Sequence, residues 1–506
     1  MSLIGVDIGT TACKAVAFNE RGDALAYGSQ EYPLYVESSD RCELDAEEVW
    51  RAFCQVVRAV AENAPANDPV EAIGLSVLAD GVAPVNRDGS PLTRFVTGHF
   101  DRRAAPQADW LARTFGRERL FQLTGMPVHS MYVLPKILWF REHQPEAYER
   151  AWKFVGLQEL VQMRLGLEPA MDYSLGVRTM VVDIHRRDWA HDLLAACGLD
   201  ADKFCPLTSS TQVVGRLDGA AAARLGLRPG VSVVAGGFDQ ACAALGSAVL
   251  GGGAAGLSVG TGECATLVFD RCVLSAELLA GNHSCGFHVL DGLYMSFAAV
   301  TTAGAVLRWY RDTLGVPEAE QARAEGRDPY EAIIAQTPNR PAQVFVLPYF
   351  AGAGNPWLDA AQRGTVFGLT LDTDRAELAK AILDGICYEL RLNLGSLKRA
   401  GLEVNRLRAV GGGARSERWM QLKADITGVP VEVMAVREAG CLGAAFLAGL
   451  GAGLYTSPQD ISALSRVKRV FYPDPSARAR YDAAYQQYGE LRSRVQGLRF
   501  PSAYVE

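Results

Sequence analysis

Two acids and three glycine-rich loops carry most of the chemical information in this chain. Near its start, Asp7-Ile8-Gly9-Thr10-Thr11 follows the apolar run Leu3 to Val6, and far downstream Gly260-Thr261-Gly262 follows Leu257-Ser258-Val259. In both places a strand runs into a Gly/Thr hairpin and out into a second strand. Such turns present backbone N–H groups and hydroxyls, a suitable cradle for phosphate oxygens. Two of them facing each other across a cleft can hold a polyphosphate. Lys14, just beyond the first turn, is within reach of a phosphate. Asp7 at the strand end suits Mg²⁺ held through water, because Mg²⁺ keeps much of its hydration shell and takes few carboxylates.

The third loop, Gly411-Gly412-Gly413-Ala414-Arg415-Ser416, joins a strand at Arg408 to Val410 to a helix from Glu417. Without Cβ atoms, three successive glycines let a flat ring or a ribose approach the backbone. The second acid, Asp239, lies in Gly236-Gly237-Phe238-Asp239-Gln240 with no basic neighbour in sequence. A carboxylate in apolar surroundings suits removal of a proton from a substrate hydroxyl. The competing reading is an N-cap for a helix starting near Gln240. Each loop alone is also explained as a common tight turn. Together they point to nucleotide-dependent phosphoryl transfer, in which such a base orients the nucleophile as much as it deprotonates it.

The elements around these residues alternate between strand and helix. Strands are expected at Lys14 to Phe18, Ala24 to Gly28, Ala72 to Val77 and Val231 to Gly236, with a helix over Glu47 to Asn63 carrying Trp50, Phe53, Val57 and Val60 on one face. The second half repeats the scheme, with strands at Leu293 to Ala298 and Val344 to Leu347 and helices at Thr302 to Leu314 and Arg375 to Leu397. A last helix, near Ser476 to Gln496, aligns Tyr481, Tyr485 and Tyr488, which are expected to pack the tail onto the body. Small residues concentrate at Leu245 to Gly253, the expected hinge.

A chain of 506 residues exceeds one core and divides into domains. Its 49% hydrophobic and 21% charged residues match an ordinary globular protein. A net charge of −7 without any Lys/Arg block argues against a nucleic-acid partner. The eleven cysteines lack a Cys-x-x-Cys pair, so a reducing cytoplasm is the expected compartment. Two uncharged stretches, Gln240 to Gly262 and Ala439 to Pro458, are built from Gly and Ala and read as close-packed helix and loop rather than membrane spans.

With these elements in this order, the chain resembles the FGGY family of carbohydrate kinases over nearly its whole length. The resemblance is carried most specifically by Gly364-Thr365-Val366-Phe367-Gly368-Leu369 with Glu377 to Asp384, and by Lys136-Ile137-Leu138-Trp139-Phe140-Arg141-Glu142-His143. It implies an α/β fold of two ribonuclease-H-like domains of the actin, Hsp70 and sugar-kinase type with an interdomain cleft. The expected division is 1–247 for sugar and catalytic base, 248–455 for nucleotide, and 456–506 for a tail helix. It implies ATP and Mg²⁺ as cofactors and a small sugar as partner, and is compatible with a homodimer. Position by position, Asp239 falls on the catalytic base, and Asp7 with Asp239 on the acids near Mg²⁺. Thr10, Thr11, Gly260, Thr261 and Gly262 fall on the phosphate loops, and Gly304, Gly412, Gly413 and Ser416 on the nucleotide site. Ala79-Asp80 occupies the place of a substrate dipeptide that is Met-His in xylulose kinases, and Asp80 could accept hydrogen bonds from vicinal hydroxyls. Asp101, in Asp101-Arg102-Arg103, resembles the family's Asp-x-Arg, read equally as a sugar contact or a structural ion pair. Glu43 and Asp45 resemble the family's Glu-x-Asp and are expected to cap the first long helix, with a contribution to the sugar pocket as the alternative. The implied activity is phosphorylation of a pentulose-like sugar. The alternatives are another polyol or acid such as erythritol, glycerol or gluconate, an actin- or chaperone-like ATP switch, and a kinase homologue that binds sugar without turnover.

Overall fold

The apolar run at the start of the chain becomes the strand Ser2–Ile8, buried over most of its length. The structure, a computed structural model, describes residues 1–38, 40–65, 67–98 and 101–498. Ser2–Ile8 pairs antiparallel with Ala12–Asn19, which in turn pairs with Ala24–Glu31. On its other side it runs parallel to Val70–Val77, and that strand runs parallel to Ser232–Phe238. Val213–Arg216 closes this six-stranded sheet as an antiparallel edge.

The second sheet repeats that connectivity. Tyr294–Val300, Glu263–Phe269 and Ala254–Val259 form the antiparallel meander. Arg406–Val410 and Val431–Met434 follow in parallel, and Val467–Phe471 is the antiparallel edge. The short strand Gly286–Phe287 extends the opposite side. In the first sheet the inner parallel strands Val70–Val77 and Ser232–Phe238 are buried on both faces, as strands covered on both sides must be. In both sheets the turn after the first meander strand, near Gly9 or Gly260, lies at the same topological position. The fold is the two-domain α/β architecture expected.

The helix Ala46–Asn63 covers the first meander with Trp50, Phe53, Val57 and Val60. Asp45 caps it by accepting from the N–H of Glu47 at 2.8 Å. Glu43 does not share that role; it accepts from Arg103 Nη2 at 2.7 Å.

The glycine-rich stretches explain how the halves meet. The helix Asp239–Gly246 contacts strands of both sheets, and the helix Ala439–Gly451 lies across it and across the first sheet. Four glycines remove the side chains that would hold these backbones apart. A Cβ on Gly5 would lie 1.7 Å from Cys441 O, on Gly74 2.0 Å from Ala444 O, on Gly246 1.9 Å from Ala439 O, and on Gly443 2.0 Å from Cys242 O. A helix late in the sequence is thereby locked onto the first sheet. Since backbone cannot yield as a flexible side chain does, Gly74→Ala is expected to cost about 1–3 kcal/mol or more by overpacking. Urea unfolding should report it as a lowered midpoint. No helix of the described residues is long and apolar enough to cross a membrane.

The tail packs as the tyrosine spacing predicts. Tyr488 Oη donates to Glu389 at 2.7 Å, and Lys380 Nζ donates to Tyr481 Oη at 2.9 Å, joining Pro475–Val495 to the helix Arg375–Arg399. The tail also supplies the edge strand Val467–Phe471, which has no clear sequence signal. Its Lys468 and Arg469 make a charged, largely exposed edge with little apolar alternation to signal a strand.

Candidate active site

Asp239 is presented by a kink in the strand before it. Gly236 has φ +70°, and a Cβ there would lie 1.8 Å from Leu75 O. The pairing of Ser232–Phe238 with Val70–Val77 shifts register between Val234 and Gly237, a bulge that re-aims the strand end. Phe238 N–H donates to Ser174 Oγ at 2.9 Å, and the Ser174 amide donates to the buried Asp172 at 2.9 Å, so the strand end is held in place. Asp239 then opens the helix as its first residue. The cap position belongs to Phe238, and no side chain caps this helix. The competing N-cap reading therefore fails. Asp239 Oδ1 is shielded from solvent and has no hydrogen-bond partner among the described residues. Burial first, and then the charge of Asp7, push its carboxyl up to about 7, against the opposing pull of Gln240 and Arg178.

Asp239 lines a cleft of about 530 Å³ walled by both halves of the chain. From the first half come Thr10, Ala79, Asp80, Tyr132 and Arg178, and from the second Gly260, Thr261 and Gly262. The two Gly/Thr hairpins thus face one cavity, as their pairing in the sequence predicts. Gly260 N–H is used within its own turn, donating to Gly262 O at 2.9 Å. Gly304 opens the helix Gly304–Thr313 beneath that turn, where a Cβ would lie 2.5 Å from Gly260 O. Packing against the loop accounts for this glycine, and its amide donates to Gly260 O at 3.0 Å.

Asp7 stands behind Asp239. Its Oδ1 accepts from Ser76 Oγ at 2.6 Å, and burial raises its carboxyl. These two carboxylates are coupled by charge, and one keeps an unpartnered oxygen. No group of three or more His, Cys, Asp or Glu among the described residues could form a metal cage. That donor set fits Mg²⁺, which takes one or two carboxylates and completes its shell with water and phosphate oxygens.

Several expected contacts are placed otherwise. Lys14 lies off the cleft, with its ammonium 2.9 Å from Glu438, so it is already engaged by a carboxylate rather than aimed at a phosphate. Thr11 is exposed beside the turn and does not line the cavity. Gly412, Gly413 and Ser416 do not line it either. They follow Val410, which pairs with Ser258 just before the second hairpin, so they extend the same rim of the second sheet. Of the three glycines, Gly411 has φ +94° and meets Val259 O, and Gly413 meets Val259 and Trp419, so packing explains both. Gly412 faces open space, and Ser416 Oγ is buried without a partner among the described residues.

Asp80 lines the cleft, but its carboxylate is not free to accept from two hydroxyls as expected. Arg178 Nε donates to Asp80 Oδ1 at 2.9 Å and Arg178 Nη2 to Asp80 Oδ2, so both oxygens are engaged by one guanidinium. Asp101 is buried away from the cavity. It accepts from Cys42 N at 2.8 Å and from Arg103, which also reaches Glu43. The structural ion-pair reading of Asp101 holds, and the sugar-contact reading does not. Arg178 and Lys136 are the additions to the site. Lys136 Nζ, fully buried and pushed down to about 8 by burial, donates to Asp80 O at 2.6 Å and to Met131 O. Arg178 has no local signature that would have singled it out.

Models of the FGGY family of carbohydrate kinases match this chain twice, the N-terminal domain over residues 2–246 and the C-terminal domain over 255–452. The chain belongs to the FGGY family of carbohydrate kinases. It is an ATP-dependent sugar kinase. This FGGY kinase is 30% identical over 460 residues to the gluconokinase of Bacillus subtilis (strain 168), covering 90% of this chain and 87% of that one. It is 28% identical over 502 residues to the xylulose kinase of the same organism, covering 98% and 97%. In structure it is similar to ligand-bound xylulose kinase from Lactobacillus acidophilus, with a TM-score of 0.89 at 24% identity over 98% and 99% of the two chains. Within the FGGY kinase, the helical part of the C-terminal signature is structural. Glu377 pairs with Arg340 at 3.0 Å, and Lys380 pairs with Asp384 inside the long helix.

Proposed function

We propose that this FGGY kinase transfers the γ-phosphoryl group of ATP to a hydroxyl of a pentulose or related polyhydroxy sugar, with Asp239 as the general base. The observation that carries this is the unpartnered Oδ1 of Asp239 in a cleft shared by both Gly/Thr hairpins. Asp239 accepts the proton of the attacking hydroxyl. The sugar oxygen bonds to the γ-phosphorus as the bond to the β–γ bridging oxygen breaks, and ADP leaves with that electron pair. Backbone groups at Thr10 and at Thr261 to Gly262 neutralise charge that develops on the phosphoryl oxygens. Asp7 and Asp239 would hold Mg²⁺ through water, and that ion would supply further charge neutralisation. The cleft lies between the two sheets, so ordered binding there excludes water from the reacting phosphoryl group.

An ATP switch of the actin or chaperone type would share the hairpins. It would not require an unmatched carboxylate beside a preformed polar wall such as Asp80 and Arg178. The test is coupled ADP release with and without D-xylulose, L-xylulose, D-ribulose, L-ribulose, erythritol, glycerol and gluconate. Strong stimulation by one of them is expected; equal ADP release with every sugar and with none would defeat the proposal.

A further inference from the structure

We infer that Arg178, held in place by Asp80, is a sugar-recognition residue, and that this charge-balanced pair selects an uncharged polyhydroxy substrate over an aldonate. The inference rests on the kinase reading above. Arg178 is only 4% exposed and is the one cation among the described residues lining the cleft. Its Nε and Nη2 are engaged by Asp80. Its guanidinium carbon lies 5.1, 5.0 and 4.8 Å from the ring centres of Tyr132, Phe238 and Phe297. Nη1 is shielded and has no partner among the described residues. A buried guanidinium N–H left unpaired is costly, so a ligand oxygen that accepts from it gains an interaction water no longer supplies.

The pair is rigid as well as incomplete. Asp80 adopts φ +68°, Lys136 holds its carbonyl at 2.6 Å, and Gly98 packs so closely that a Cβ there would lie 2.6 Å from Asp80 Cβ. Arg178 therefore presents a fixed donor, as the planar fork of a guanidinium allows.

Charge decides which acceptor fits. Arg178 is neutralised by Asp80, and Glu263 in the cleft wall is neutralised by Lys423. Behind the pair, Lys136 is spent on the carbonyl oxygens of Asp80 and Met131 and does not line the cleft, and Arg103 is held by Asp101 and Glu43. Lys14 is balanced by Glu438. Among the protein's own described side chains, what remains without an ion-pair partner is Asp239, with Asp7 behind it. A substrate carboxylate beside Arg178 would meet a guanidinium already neutralised by Asp80, no other cationic side chain among the described residues lining the cleft, and the carboxylate of Asp239, which Coulomb repulsion disfavours. A ketone or hydroxyl oxygen accepts from Nη1 without that penalty.

Steady-state ADP release would be compared for D-xylulose, D-ribulose, erythritol and D-gluconate. The wild-type enzyme is expected to use a neutral substrate with kcat/KM at least roughly 10-fold above gluconate. Asp80→Asn leaves Arg178 unbalanced and should raise the gluconate-to-neutral ratio of kcat/KM, a readout that loss of packing alone would not move. Arg178→Gln, checked for folding by its thermal transition, should raise KM for the preferred sugar roughly 10- to 100-fold, the range for a hydrogen bond to a charged group. A wild-type preference for gluconate, an unchanged ratio in Asp80→Asn, or an unchanged KM in folded Arg178→Gln would each overturn the inference while leaving the kinase reading intact. If Arg178→Gln does not fold, the ratio in Asp80→Asn decides alone. Stimulation by no sugar at all would defeat the kinase reading and this inference with it.

Discussion

Replacing Asp239 by Asn is expected to lower kcat by roughly 10²–10⁴-fold, the usual contribution of a positioned general base. KM for ATP should change little. The amide keeps the size of the side chain, and the hairpins proposed to contact phosphate are separate from it. Asn can accept a hydrogen bond from the sugar hydroxyl but cannot take its proton. The same assay carries a pH test. The wild-type carboxyl is pushed up to about 7, chiefly by burial, and only the ionised form acts as base. Protonation removes that form, so kcat/KM should fall as pH drops through about 7 and level off above it. The residual activity of Asp239→Asn should lack this limb. Full turnover in the variant, measured by coupled ADP release, would remove Asp239 from the role.

The second large effect is on stability. Lys423, on the helix Glu417–Thr427, pairs with Glu263, the residue directly after the second hairpin, and both side chains are fully buried. Lys423 also lies 4.6 Å from the ring centre of Trp419. Lys423→Met would leave a buried carboxylate without its cation, which typically costs about 3–5 kcal/mol. Burial already raises the Glu263 carboxyl, and the charge of Lys423 is the main influence opposing that rise. Without the lysine the carboxyl rises further. A carboxyl raised in the folded state favours folding when protonated, so the loss should be smaller in acidic than in alkaline buffer. Urea denaturation of Lys423→Met at both ends of that range tests this. Replacing both partners, Lys423→Met with Glu263→Leu, should recover much of the loss, because an apolar pair of similar volume leaves no buried charge. An unaffected unfolding midpoint in the single variant would show that the pair contributes nothing.

Much of the site could be read from the chain because its parts are local. A strand, a Gly/Thr turn and the next strand occupy about a dozen residues in each hairpin, and hydrogen bonds between neighbouring strands fix their geometry. The helix over Ala46–Asn63 and the tyrosine face of the tail were visible for the same reason, since burial on one side of a helix repeats every few residues. Asp239 stood out as an acid among apolar and small residues, and the bulge at Gly236 gives that position its aim.

What the sequence by itself determined is therefore the set of local devices: both hairpins, the isolated acid Asp239, the glycine turns and the alternation that builds two similar sheets. Tertiary structure decided how the charges were matched. Arg178 and Asp80 are 98 residues apart, Lys423 and Glu263 are 160 apart, and Lys14 and Glu438 are 424 apart. No local pattern links such partners. Each pairing arises only when the sheets stack and the glycine-lined helices close to backbone contact. Hence Asp80 looked like a free acceptor and Lys14 like a phosphate ligand, although folding had already supplied each with an opposite charge.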